Sequence, residues 1–158
     1  MEAALRSAYY YVTGENPPAD FYHYEAVRGL EGIKEATVSI AGNDLHIAVV
    51  QTLANTRKVI EDWKSGTKTY DYIEVMNCIG GCIGGGGQPK TTIPPNAELR
   101  QMRMDGLYDK DSAIPLRLSH ENPDICMVYD EFYEKPLSSL AEELLHTSYE
   151  SKSFMLGE

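Results

Sequence analysis

The sequence predicts an α/β fold: a small sheet with a hairpin, flanked by helices. Three observations carry this. Val38 and Ile40 alternate with polar residues, Gly42-Asn43-Asp44 supplies turn chemistry, and Leu45, Ile47 and Val49 resume the alternation, so this stretch reads as a hairpin. Leu53 to Lys64 is amphipathic, with Leu53, Thr56, Val59, Ile60 and Trp63 on one face and Gly66 just past its end. Tyr70 to Val75 is a short strand that runs straight into a pair of cysteines. Strand, strand, helix, strand, then helices is the element order of an α/β or α+β domain.

The flanking segments follow local rules. Met1, Ala4, Leu5, Ala8 and Val12 fall at helical spacing over residues 1–13, with Gly14 as the stop. That helix has no cap before it, which raises the expectation that part of the protein is missing upstream. Residues 15–24 contain Pro17 and Pro18 and read as a loop. Pro89, Pro94 and Pro95 keep the next stretch irregular, and Asn96 caps a helix reaching about Tyr108. Asn122-Pro123 opens a helix to about Tyr133. Ser139 and Glu142 form a capping box for a last helix through His146. No linker or repeat divides the chain, so residues 1–158 read as a single, apparently incomplete domain.

Composition narrows the function classes. The chain has 158 residues, 42% of them apolar, and a formal net charge of −10. Nucleic-acid binding and docking on an anionic membrane both need basic surface, so neither is expected. No run approaches the roughly 20 apolar residues of a membrane span. Cys78, Cys82 and Cys126 are too few, and odd in number, for a disulfide framework, which points to a reducing, cytoplasmic setting.

The chemistry-bearing stretch is Glu74-Val75-Met76-Asn77-Cys78-Ile79-Gly80-Gly81-Cys82-Ile83-Gly84-Gly85-Gly86-Gly87-Gln88-Pro89. Thiolates hold iron–sulfur clusters, backbone N–H groups tune their sulfurs, and glycines let the backbone approach closely. Other glycine-loop chemistries fail on spacing. A P-loop needs Gly directly before Lys, but Pro89 precedes Lys90. The dinucleotide pattern starting at Gly84 would need Gly at Pro89. A thioredoxin-type pair has two intervening residues, not three, and zinc would want a second ligand pair nearby. Spacing alone leaves two readings: a cluster or metal site, or a glycine-rich turn with structural cysteines.

This stretch resembles the third signature of [FeFe]-hydrogenases, E-x-M-x-C-x-x-G-C-x-x-G-G-G-Q-P, at every specified position. Met1 to Arg6, Val27 to Val38, Ala54-Asn55, Ser119 to Pro123 and Leu144 to Tyr149 also resemble that family, so the likeness covers nearly the whole chain. It implies the C-terminal lobe of the iron-only hydrogenase H-cluster domain. In that family Cys78 would be a thiolate ligand of the [4Fe–4S] cubane of the H-cluster. Cys82 would ligate the same cubane and bridge to the di-iron subsite. Met76 would pack against the di-iron site, and Gly81, Gly85, Gly86 and Gln88 would line the pocket. Asn77 and Ile79 stand where the family most often has Ala and Pro, and neither is a ligand.

The two earlier cysteine signatures of the family are absent from this sequence. The resemblance therefore implies a partner, a separate or missing N-terminal half carrying the other two ligands, with a ferredoxin-like electron carrier. Three alternatives accompany it. NARF-type proteins of cytosolic iron–sulfur assembly share such a motif but lack the di-iron site. Sensory hydrogenases share it too. A homodimer could also share one cubane across a two-fold axis. Outside the motif, Cys126 reads as a packed helix cysteine and His120 as a structural hydrogen-bonding group. His146 favours a helix dipole, His23 and His46 read as surface or strand-face residues, and Glu74 is either ion-paired or a hydrogen-bonding neighbour of the cluster.

Overall fold

A computed structural model describes residues 1–91 and 95–157; Pro94, expected in an irregular stretch, lies outside them. The chain forms two compact units, Met1–Arg117 and Leu118–Glu158. The first holds helix α1 (Glu2–Thr13), strands β1 (Ile33–Ile40) and β2 (Asn43–Gln51), helix α2 (Leu53–Lys64), strand β3 (Tyr72–Met76) and helix α3 (Ala97–Ala113). The second holds α4 (Pro123–Val128), a π-helical segment at Tyr129–Tyr133 that continues it, α5 (Ser139–Leu145) and α6 (Ser153–Leu156).

The sheet order is β1-β2-β3. β1 pairs antiparallel with β2, from Ile40↔Asn43 to Ile33↔Val50, and β2 pairs parallel with β3, from Ile47↔Tyr72 to Gln51↔Met76. A parallel pair needs a crossover, and α2 supplies it. β2 is therefore central and buried on both faces, from Ile47 through Gln51. Its Ile47 and Val49 join Val38, Ile40, Leu5, Phe21 and Val27 in one core, with Met76 at its margin. Its Ala48 and Val50 pack with Val59 of α2 in a second, smaller core.

Several boundaries differ from the sequence reading. The hairpin turn is Ala41-Gly42, both with positive φ (50° and 80°), and Asn43 and Asp44 already pair with Ile40 and Ser39. Two residues with φ > 0 match the twist of the flanking strands, so a two-residue turn replaces the expected Gly42-Asn43-Asp44. β3 begins at Tyr72 and reaches Met76. α3 continues past Tyr108 to Ala113. The helix opened by Asn122-Pro123 reaches Tyr133 as expected, but its last five residues, Tyr129–Tyr133, are π-helical rather than α-helical. The expected Ser139–Glu142 box moves back one residue: Ser138 caps α5 by accepting from the Ala141 N–H at 3.0 Å. Ala141 occupies the third helical position, so no carboxylate reciprocates there.

α2 departs most from its expected burial. Val59 is 2% exposed, but Leu53, Ile60 and Trp63 are 64%, 40% and 54% exposed. α2 is the β2–β3 crossover, and among the described residues no strand pairs beyond β3, so Ile60 and Trp63 of its apolar stripe border an open groove beside Tyr72 and Ile73.

Thr52, between β2 and α2, has φ 72° and ψ 148°. A β-branched residue rarely tolerates this region, which is close to glycine-only. Thr52→Gly is expected to raise the free energy of unfolding by about 1 kcal/mol, after subtracting the extra chain entropy of glycine. A higher urea midpoint at unchanged slope is the measurement; an unchanged or lower midpoint refutes the strain.

Candidate functional site

Parallel strands present their C-terminal ends to ligands in α/β sheets. Here β3 ends at Met76, and the cysteine loop begins one residue later. Cys78 and Cys82 are both free and exposed. Between them, Gly80 and Gly81 are left-handed, with φ of 81° and 74°. A turn of 3₁₀-helix, Gly81–Gly84, carries Cys82. The Gly81 N–H donates to the Cys78 carbonyl at 3.0 Å, and the Gly85 N–H to the Cys82 carbonyl at 3.1 Å.

Close approach explains part of the glycine run. A Cβ on Gly81 would lie 2.9 Å from the Met76 sulfur, and one on Gly84 would overlap the Ile79 carbonyl oxygen. At Gly85 a Cβ would sit 3.8 Å from the Cys78 sulfur and 3.3 Å from the Cys82 carbonyl oxygen. Gly86 and Gly87 have open space around them. Gln88 Nε2 reaches the Cys82 carbonyl at 3.4 Å, a long hydrogen bond.

Cys82, Gly81 and Met76 line one cleft of about 280 Å³, with Glu74, Lys34 and Gln51. Cys78, Gly85, Gly86 and Gln88 are not among its lining residues. The structure thus brings Met76, Gly81 and Cys82 together at the cleft and leaves Cys78 on the loop's exposed side. Cys126 belongs to the second unit, where its Sγ lies 3.3 Å from the His120 carbonyl oxygen. His46 is exposed and meets the Thr37 hydroxyl across the hairpin at 3.1 Å. Glu74 accepts a hydrogen bond from the Met1 amino group at 3.0 Å.

Two residues that position the loop, and a third that lines the cleft, have no signal in local sequence. Gln51, 2% exposed, accepts from the Gly80 N–H through its side-chain oxygen at 2.8 Å. Arg103 of α3 donates to the carbonyls of Ile83 at 3.0 Å and Pro89 at 2.8 Å, gripping the loop at two points. Lys34, 7% exposed, faces the cleft and donates to the Gly29 carbonyl at 3.0 Å. Burial lowers its pKa, opposed by Glu74 and Glu31. The inward alternation of β1 places position 34 inside. That Lys should occupy it is unexpected, since lysine is almost never buried without a partner.

Two exposed thiols on a loop whose backbone crowds in where glycine permits it suit a cluster held by thiolates and backbone N–H groups. Among the described residues no three His, Cys, Asp or Glu side chains converge to hold a metal ion. Among the described residues no helix is long and apolar enough to cross a membrane.

Fold and loop together define a cysteine-presenting α/β lobe. Residues 1–86 match the family model for the C-terminal domain of the iron-only hydrogenase large subunit, and residues 97–152 match that of the iron hydrogenase small subunit. The chain belongs to the iron-only hydrogenase family, in the C-terminal region of its large subunits. It is 47% identical to the NADP-reducing hydrogenase subunit HndD of Solidesulfovibrio fructosivorans, over 94% of this chain and 25% of that one. It is 53% identical to the periplasmic [Fe] hydrogenase large subunit of Nitratidesulfovibrio vulgaris, over 56% of this chain and 21% of that one. A cytosolic Fe-S cluster assembly factor of Xenopus tropicalis, narfl, is 32% identical over 73% of this chain and 24% of its own length. Among solved structures, a variant of [FeFe]-hydrogenase HydA1 from Chlamydomonas reinhardtii superposes with a TM-score of 0.69 at 35% identity, over 93% of this chain and 43% of that one. The chain thus spans about a quarter of the length of these curated relatives.

The loop and the cleft each yield a test. Gly84→Ala forces its new methyl into the Ile79 carbonyl and should cost about 2 kcal/mol or more, whereas Gly86→Ala should stay within about 0.5 kcal/mol of the parent. Thermal unfolding of both variants checks the contrast; equal losses would refute the packing. Lys34 supplies the second. Between its lowered pKa and the ordinary 10.5, the unfolded chain still holds a proton that the folded chain has released. Stability contributed by this group therefore rises with pH across that window. Lys34→Met should flatten that rise in urea midpoints measured from neutral pH to 10.5; an unaltered slope would count against a titrating Lys34.

Proposed function

We propose that this chain supplies two of the cysteine ligands of an [FeFe]-hydrogenase H-cluster, as the C-terminal part, residues 1–158, of the catalytic domain. The observation that carries the proposal is the cysteine loop itself: free Cys78 and Cys82 just past the C-terminal end of β3, separated by left-handed glycines, with Cys82 opening on a cleft. Cys78 and Cys82 would hold a [4Fe–4S] cubane through their thiolates, with Cys82 the one nearer the di-iron subsite's side of the site. When bound, the di-iron subsite supplies the interconversion of H2 with two protons and two electrons. The chain's own residues shape its surroundings. Met76 forms an apolar, polarisable wall. Gly81, Gly85 and Gly86 let the backbone come close, and Gln88 ties the loop back on itself. The buried Lys34 ammonium offsets the charge of thiolates and carboxylates around the cleft.

The reading requires a second polypeptide segment, an N-terminal half or complementary subunit with two further cysteine ligands, and a ferredoxin-like electron carrier. We place the protein in the cytoplasm on its unpaired cysteines, although one relative is periplasmic. A cubane-only, non-catalytic role is the second reading, favoured by the 32% identity to an assembly factor. The higher identity to the HndD subunit, 47% over nearly the whole chain, favours the hydrogenase reading.

The test pairs this chain with HndD from which the matched stretch has been deleted, under anaerobic cluster assembly. Broad cubane absorbance, infrared bands of iron-bound CO and cyanide, and H2 evolution with reduced ferredoxin are expected. Cys78→Ser and Cys82→Ser should each lower iron content by more than half. Cubane absorbance without the infrared bands would move the protein to the non-catalytic class, and no cluster at all would sink the proposal.

A further inference from the structure

β3 is an edge strand: β2 pairs with one side of it and, among the described residues, nothing pairs with the other. Unpaired edges in soluble proteins are normally blunted by charge, proline or a covering element. This one carries Tyr72, Ile73 and Val75, with Tyr72 and Val75 50% and 48% exposed. α2 overhangs the same edge. Its Ile60 and Trp63, together with Tyr72 and Ile73, line a shallow groove of about 400 Å³. α2 runs back along β3, so its first residue, Leu53, lies at the same end of the sheet as Val75; Leu53 is 64% exposed. A crossover helix with half its apolar stripe uncovered, beside an open strand, is the geometry left when a sheet lacks its next strand.

We infer that the open edge of β3 receives a strand from the polypeptide that carries the remaining cluster ligands, and that this strand slides under the overhang of α2. The inference rests on the proposed function for the partner's identity. Three observations choose this occupant. More than half the length of the matched hydrogenase structure lies outside this chain, which covers 43% of it. β3 passes into the cysteine loop without a break, so a segment paired along it is delivered beside Cys78 and Cys82. A second copy of this chain carries the same net charge of −10, and mutual repulsion of the two acidic chains disfavours self-pairing. Main-chain hydrogen bonds along the edge would give affinity, and apolar side chains meeting Ile60, Trp63 and Val75 would give register.

Trp63 is the one tryptophan of the sequence, so it reports on this surface by itself. The experiment uses the full chain labelled with 5-fluorotryptophan, mixed with HndD lacking the matched stretch. Binding is read by sedimentation, docking by the fluorine resonance and by amide exchange in residues 72–76. The expected result is association with a shifted fluorine signal and at least about tenfold slower exchange in the β3 amides that β2 leaves unpaired. Val75→Lys and Trp63→Glu should weaken association about tenfold or more, while Lys58→Ala, on the exposed side of the same helix, should not. Circular dichroism of the free variants checks that each still folds. Association that leaves Trp63 and β3 unaltered overturns this inference and spares the proposed function. Protection that grows with the concentration of the chain alone assigns the edge to a second copy and overturns it as well. No association at any concentration overturns both.

Discussion

The two-sided burial of β2 is the constraint on which the first unit depends. A strand covered on both faces needs apolar residues at consecutive positions, and Ile47-Ala48-Val49-Val50 provides them. One face packs against residues from α1 and the segment after it, the other against Val59 of α2. Everything near the cysteines is referenced to this strand. β3 lies parallel beside it, and their shared C-terminal ends set where the cysteine loop begins.

The last residue of β2 ties that scaffold to the loop. Gln51 is as buried as its apolar neighbours, yet its side chain satisfies the Gly80 N–H. The Thr52 N–H donates to the Met76 carbonyl at 2.7 Å, which joins the end of β2 to the end of β3. Two neighbouring residues thus hold the loop's first turn through its backbone and leave its thiols free. From the other side, Arg103 holds the loop's far limb. A glycine-rich loop has little side-chain packing of its own, and these hydrogen bonds supply its order.

The physical boundary of this assembly does not follow the boundary between the two matched families. The large-subunit match ends at residue 86 and the small-subunit match begins at residue 97. The first compact unit nevertheless runs to Arg117 and includes α3. α3 belongs there because Arg103 grips the loop and Met104, 9% exposed, lines the cleft with Cys82. A helix matched to a small subunit is therefore part of the site's own support.

The sequence by itself determined the local elements and the chemistry on offer. Alternation at Val38, Ile40, Ile47 and Val49 marked the hairpin, and Gly14 and Asn96 marked a helix end and a helix start as observed. The cysteine-glycine stretch stood out in the sequence as the chemistry-bearing segment because the motif is contiguous, and its two thiols are free and exposed in the fold. Only the tertiary structure decided which apolar residues are core: Val59 is buried because it packs on Ala48 and Val50 of β2, whereas Trp63 borders an open groove beside Tyr72 and Ile73. The helical period cannot show where a sheet stops. Tertiary structure also selected Gln51, Lys34 and Arg103, which stand 27, 44 and 25 positions from Cys78 along the chain. Their role arises from strand register and helix docking, contacts between residues far apart in the chain, which no spacing within one segment can encode.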